Sequence, residues 1–282
     1  MLYDIVIIGA GISGLTTAVS LFEKGVQHVL IVDYQEDCGG FAAPFFQAAS
    51  FARERQVLEQ ASSLPYEVWY KATVIGFFAG EEGQAHQLYI QTTVGTRTVE
   101  ARRVVIASGA LEKPREAHKI AGTRPAGVMT PSMAAQLLLR GYLPGAHIAL
   151  IQSDRLAAGV ADLLADQECK LHAFIAEDWE VVEVKGRARL QEVVLQQRLN
   201  KALHHQACDT LIFSQGRIPS SFFLKGTSVR QDEHHAVVID DRGRTNLEGV
   251  YATGSCTILG DDQHMTSIEL ARQMVPELLN HL

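Results

Sequence analysis

Residues 1–33 constrain the fold more than any other part of the chain. The apolar run Asp4-Ile5-Val6-Ile7-Ile8 reads as a buried strand and leads into Gly9-Ala10-Gly11-Ile12-Ser13-Gly14. A helix and a second strand ending at Asp33 follow. A bare G-x-G-x-x-G is weak evidence; here it has a strand before it, a helix after it and an acid about twenty positions on. Gly9 permits the tight turn, Gly11 lets backbone approach a pyrophosphate, and Gly14 allows close helix–strand packing. The phosphates would meet the positive end of a helix dipole, and Asp33 would accept hydrogen bonds from a ribose. The ordinary reading, a glycine-rich turn in a plain βαβ unit, fits the context less well.

A chain of 282 residues can bury one large core or two modest ones. Its formal charge of −7, with no Lys/Arg-rich run, argues against nucleic acid or an anionic membrane surface. No apolar run reaches the length of a membrane span, and the first apolar residues read as a strand rather than a leader. A cytoplasmic location is therefore expected by default. Cys38, Cys169, Cys208 and Cys256 lie far apart with no C-x-x-C pair, which removes the redox-dithiol and common zinc signatures; no metal site is expected. His204-His205 and His234-His235 read as solvated loop residues.

Further along, a helix is expected near 47–62. A meander follows through Tyr66–Phe78, Gln87–Val94 and Thr98–Ala107, its last strand apolar enough to join a parallel sheet. A second βαβ unit begins at His147–Ile151, and a hairpin, another buried strand, a final strand at Val250–Gly254 and a C-terminal helix follow. Pro276 is expected to kink or restart that helix. This order predicts a first domain over 1–112 and 242–282 around a second over 113–241.

Four segments carry a resemblance across nearly the whole chain. They are the Gly9–Gly14 turn with Asp33; Ala107-Ser108-Gly109-Ala110; Cys208–Pro219; and Gly249-Val-Tyr-Ala-Thr-Gly254. Together they resemble the two-dinucleotide-domain flavoproteins of the thioredoxin-reductase-like and glutathione-reductase-like class. The resemblance implies an α/β fold of two Rossmann-like three-layer domains, the second inserted in the first, each with a β-meander. It also implies FAD in the first. Carried onto this chain, the FAD-binding positions are Gly9, Gly11, Ile12, Ser13 and Gly14 in the turn, Asp33 and Tyr34 after it, and Gly40 and Phe41. Val74, the strand end Ala107-Ser108-Gly109, the pair Gly254-Ser255, and Thr266 and Ser267 complete the set. A narrower resemblance runs through Gly109–Pro114, Ile120–Thr130 and Ala134–Gln136. This stretch is similar to the FAD subunits of hydrogen cyanide synthase, opine oxidase and dye-linked amino-acid dehydrogenases, and to the flavoprotein that accompanies glycerol-3-phosphate dehydrogenase.

The chain departs from the class in three places. The second turn reads Gln152-Ser153-Asp154-Arg155-Leu156-Ala157, so Gln152, Asp154 and Ala157 replace all three glycines. Side chains fill the space a pyrophosphate needs, and Asp154 presents a carboxylate to it. Repulsion of a few kcal/mol in a partly desolvated site is enough to lose ordinary NAD(P)H affinity. Arg155 could offset part of that charge. This reads as a degenerate nicotinamide site, with NADH in an altered pose as the alternative. Second, the class's Gly-Asp pair is Gly254-Ser255, and Asp261-Asp262 lies too far on to substitute without a loop rearrangement. Third, the stretch from Gly40 to Val74 is short, so the flavin is expected to be open or covered by a partner.

In this class the N–H groups of Met265-Thr266-Ser267 face the flavin pyrimidine edge. His264, just before them, is the candidate acid/base residue, beside the plainer reading of a loop histidine. Phe41, Phe45 and Phe46 are candidates to line the flavin face. Three functions stay open. The first is an FAD-dependent oxidoreductase drawing electrons from a small amine or amino-acid-type substrate, or a partner subunit, rather than from NAD(P)H. The second is an NAD(P)H-dependent thioredoxin-reductase-like reductase lacking the dithiol. The third is a non-catalytic flavin-binding assembly protein. The expected partners are a protein subunit or electron acceptor, or a second copy of the chain.

Overall fold

In the computed structural model, residues 1–81, 83–260 and 264–280 are described; the pair Asp261-Asp262 lies outside them. The chain forms two compact units. The first takes Met1–Ala43, Arg53–Leu111 and Ile218–Leu282; the second takes Pro44–Ala52 and Glu112–Arg217.

In chain order the elements begin with β1 (Leu2–Ile8), α1 (Ile12–Glu23), β2 (Val29–Val32) and α2 (Ala52–Ala61). Then come β3 (Glu67–Trp69), β4 (Thr73–Phe78), β5 (His86–Thr92), β6 (Gly95–Ile106) and β7 (Ala110–Glu112). The second stretch holds β8 (Ala121–Gly122), β9 (Val128–Met129), α3 (Pro131–Leu139), β10 (His147–Gln152) and α4 (Arg155–Leu164). It continues with β11 (Lys170–Ile175), β12 (Trp179–Gly186), β13 (Leu190–Gln197), β14 (Leu203–Ala207), β15 (Thr210–Ile212) and β16 (Arg217–Pro219). The chain closes with β17 (Val250–Ala252) and α5 (Met265–Leu279).

The first unit is built on one mixed sheet in the order β3-β2-β1-β6-β5-β4, with β17 also paired to β6. The last four residues of β1 and all of β2 are buried, as strands covered on both faces require. β6 joins the two halves: its first part pairs antiparallel with β5, its last part parallel with β1 and β17. The expected meander is therefore continuous with the parallel sheet. α1 and α5 pack together in this unit, and α5 continues through Pro276 rather than restarting.

In the second unit a four-stranded sheet, β11-β10-β15-β9, stands beside another in the order β14-β13-β12-β8. Ile151, Val193, Leu195, Leu211 and Phe213 are buried in its core. His204 and His205 belong to β14, not to a loop; the His204 ring lies near Phe174 and Trp179.

Two boundaries differ from those read in the sequence. Residues 218–241 belong to the first unit because Leu224, Val229, Val237 and Ile239 are buried in its core. Residues 44–52 join the second because Phe45 and Phe51 stack 5.0 Å apart, fully buried, against Gly159 of α4. A Cβ on Gly159 would sit 2.7 Å from both rings, so glycine is what admits them.

Candidate functional site

The carboxyl ends of β1, β6 and β17 lie side by side, in the register Ile8↔Ile106 and Ala252↔Ile106. The residues that follow each strand are therefore collected at one edge of the first unit: Gly9–Gly14, Ala107–Gly109 and Thr253–Ser255. Such an edge is where open α/β sheets bind ligands.

The glycines of the first turn do different work. Gly9 has φ +111°, and a Cβ there would lie 2.2 Å from the Ala107 carbonyl oxygen. At Gly14 a Cβ would lie 1.9 Å from the Gly9 oxygen. Both are required by the protein's own backbone. At Gly11 a Cβ would meet no atom within 4 Å, so this glycine answers to nothing inside the chain. Gly11 is also the N-cap of α1, with no side-chain cap and no acid in the first turn, which leaves the positive helix end open to an anion.

Asp33 is buried and bridges the turn to the end of β2. One carboxylate oxygen accepts the Ala10 N–H at 2.6 Å and the other the Gln35 N–H at 2.8 Å. Burial pushes its carboxyl above the usual range, and the two N–H donors partly oppose that. Tyr34 beside it is exposed. Gly39 donates to the Ala10 carbonyl at 2.8 Å, and a Cβ on Gly40 (φ +58°) would approach Gly11 Cα at 3.1 Å. This packs the 39–40 loop over the glycine turn, with Phe41 half-buried next to it.

Gly254 has φ +82°, and a Cβ there would meet the Ser13 hydroxyl at 2.4 Å, so Ser13 and Gly254 touch across α1 and β17. Ser255 is half-buried, and Ile12 and Ala107 are buried. Ser108 and the fully buried Cys256 lie together; burial holds the thiol above its usual range, which makes it an inert thiol rather than a redox one. The first turn of α5 is tied to the same edge, because the Thr253 hydroxyl donates to the Ser267 carbonyl at 3.4 Å. Ser267 Oγ is buried with no hydrogen-bond partner among the described residues, while Thr266 is exposed. An open Gly11, an uncapped α1 and this orphaned hydroxyl fit a dinucleotide. The Val74 side chain is packed in the core with Val32 and Ile90. Phe45, expected at the flavin face, is instead a core residue of the second unit.

His264, at the start of α5, has φ +53° and makes no capping bond with its side chain. Its Nδ1 lies 2.9 Å from Glu54 Oε1. Sequence reading missed Glu54; its only signal was a charged residue on an otherwise polar helix.

The corresponding turn of the second unit is built in the opposite sense. Asp154 caps α4, its Oδ1 accepting the Ala157 N–H at 2.9 Å. Its Oδ2 accepts from Arg217 at 3.1 Å, with both side chains largely buried. Arg155 donates to the Ser50 carbonyl and lies over the Phe51 ring, 4.8 Å from the centroid. Glu112 sits at the start of α3, accepting the Ser132 N–H at 3.3 Å on each oxygen; burial pushes its carboxyl upward.

A family model described as pyridine nucleotide-disulphide oxidoreductase matches residues 3–151 and 153–277. An alkyl hydroperoxide reductase component of Xanthomonas campestris pv. phaseoli is 26% identical over 140 residues. That match takes in 49% of this chain and 26% of the relative's length. The fold is similar to that of L-proline dehydrogenase from P. horikoshii, with TM-score 0.77 and 19% identity, covering 100% of this chain and 56% of the other. It is also similar to T. acidophilum thioredoxin reductase, with TM-score 0.68 and 20% identity, covering 98% and 97%.

Proposed function

This chain belongs to the pyridine nucleotide-disulphide oxidoreductase family of FAD-dependent oxidoreductases, and from that premise we propose that its electrons come from a small amine or amino-acid-type donor, not from NAD(P)H. The observation that carries the reading is Asp154. A carboxylate already occupies the N-terminus of α4, which is where the second domain of such a fold would take a pyrophosphate. Bringing an anion there would break the cap and the Arg217 pair together. The donor class is supported by the stretch Gly109–Gln136, which resembles the FAD subunits of amine- and amino-acid-oxidising enzymes, and by the likeness to L-proline dehydrogenase.

FAD, when bound, supplies two-electron acceptance. The chain's own residues would hold it: Gly11 and the first turn of α1 would take the phosphates, Asp33 a ribose, and Ser255 the ribityl chain. The Thr266 and Ser267 N–H groups lie at the positive end of α5, where they would favour negative charge, and His264 would be the candidate acid/base residue.

Two alternatives answer to the same experiment: electrons delivered by a partner subunit, and an NAD(P)H-driven reductase. Purified protein is scanned for flavin absorption and titrated anaerobically with NADH, NADPH and a panel of amino acids and amines. We expect a yellow protein bleached by a member of the panel and by neither nucleotide. Saturable bleaching by low-micromolar NADH would overturn the reading. A yellow protein bleached by nothing in the set points to the partner subunit.

A further inference from the structure

We propose that Glu54 is a positioning residue for His264, a buried carboxylate that fixes the imidazole at the N-terminus of α5 and so tunes the FAD site; this rests on the FAD-dependent reading above. α2 is a polar helix that buries only two side chains, Glu54 and Val57. Glu54 is 1% exposed. Burying a carboxylate is costly unless it is paired, and an apolar residue would pack that position more cheaply. The carboxylate is aimed at His264 Nδ1, 2.9 Å away, across 210 residues of sequence. The preceding residue acts on the same target, because the Arg53 guanidinium contacts the Met265 sulfur. Consecutive residues of α2 thus grip consecutive residues at the start of α5.

His264 adopts the left-handed conformation, uncommon for a residue with a side chain. It precedes the first turn of α5 without capping it, since its ring is turned to Glu54 instead. The tautomer that donates Nδ1–H to the carboxylate fixes the orientation of the ring at this helix start. The imidazole is thereby held at the positive end of α5, the end whose sign stabilises reduced, anionic FAD. The first turn of α5 is itself tied to Thr253, beside the Gly254-Ser255 pair.

The test is potentiometry of the FAD-loaded protein, comparing native, E54Q, H264Q and the E54Q/H264Q double variant. Glutamine at 54 still accepts the Nδ1–H, so a merely structural staple survives E54Q and the potential stays put. If Glu54 acts through His264, E54Q disfavours the reduced state roughly tenfold, a fall of about 30 mV for a two-electron couple. H264Q shifts it in the same direction, and the double variant goes no further than H264Q alone. E54D, which keeps the charge, recovers most of the native potential. A native potential in E54Q, or effects that add fully in the double variant, would overturn the role of Glu54 while leaving the flavoprotein reading intact. Should E54Q fail to fold, a native potential in H264Q overturns the role alone. A native protein that cannot hold FAD overturns both.

Discussion

The two strand–turn–helix devices of this molecule begin from the same architecture and end with opposite electrostatics. In the first unit, β1 runs into a turn whose middle glycine has open space where a Cβ would stand, and α1 starts with no side-chain cap. In the second, β10 runs into a turn whose aspartate caps α4 and pairs with Arg217. One helix end is left for a ligand, and the other is satisfied by the chain. A helix N-terminus is a ready anion site only while its own sequence does not supply the anion.

The largest expected effect is at Gly14, where any Cβ collides with backbone. G14A should cost more than about 3 kcal/mol and abolish FAD retention, measured by denaturant unfolding and flavin absorption. G11A sharpens the comparison from the other side. Its Cβ meets no protein atom, so melting should stay within a few degrees of native while FAD affinity falls at least roughly tenfold, about 1.4 kcal/mol. An equal loss of stability and binding would show that Gly11 serves the fold.

In the second unit, D154A removes a helix cap and the largely buried carboxylate to which Arg217 donates. A loss of about 2 kcal/mol in unfolding free energy is expected, with FAD binding unchanged. NADH should still fail to bleach the flavin, because Gln152 and Ala157 remain; bleaching by NADH in D154A would make Asp154 the sole barrier.

The smallest effect is the pH dependence of Asp33. Its folded carboxyl is raised by burial, so this group's contribution to stability is fully present below the unfolded carboxylate range and is lost as pH rises through the folded value. Protonating it therefore favours the fold but would weaken the ribose acceptor proposed above. On acidification from about pH 7, FAD should leave before secondary structure is lost, seen as flavin fluorescence rising ahead of the circular dichroism change. Simultaneous release and unfolding would count against Asp33 as the ribose ligand.

The glycine turn, Asp33, the two βαβ units and the meander were legible because each rests on local rules: buried strands read as apolar runs, and tight turns need glycine. The loss of the second fingerprint was equally plain at Gln152, Asp154 and Ala157. What Asp154 does instead was not, since Arg217 stands sixty-three residues away. Val74 is marked in the sequence only by resemblance; that its side chain is buried in the core follows from the way β4 alternates its faces across the sheet. Phe45 is no more than a candidate flavin-facing ring in the sequence alone; its burial beside α4 depends on Gly159, more than a hundred residues later.

By itself, the sequence determined that the chain would contain one intact dinucleotide turn and one altered copy, since backbone conformation at a turn depends on the residues in that turn. Only the tertiary structure decided which groups meet there. Asp154 with Arg217, Glu54 with His264, and Ser13 with Gly254 are each brought together by packing of distant elements. Charge pairing acts through space, and no periodicity along the chain encodes which buried acid will find which base.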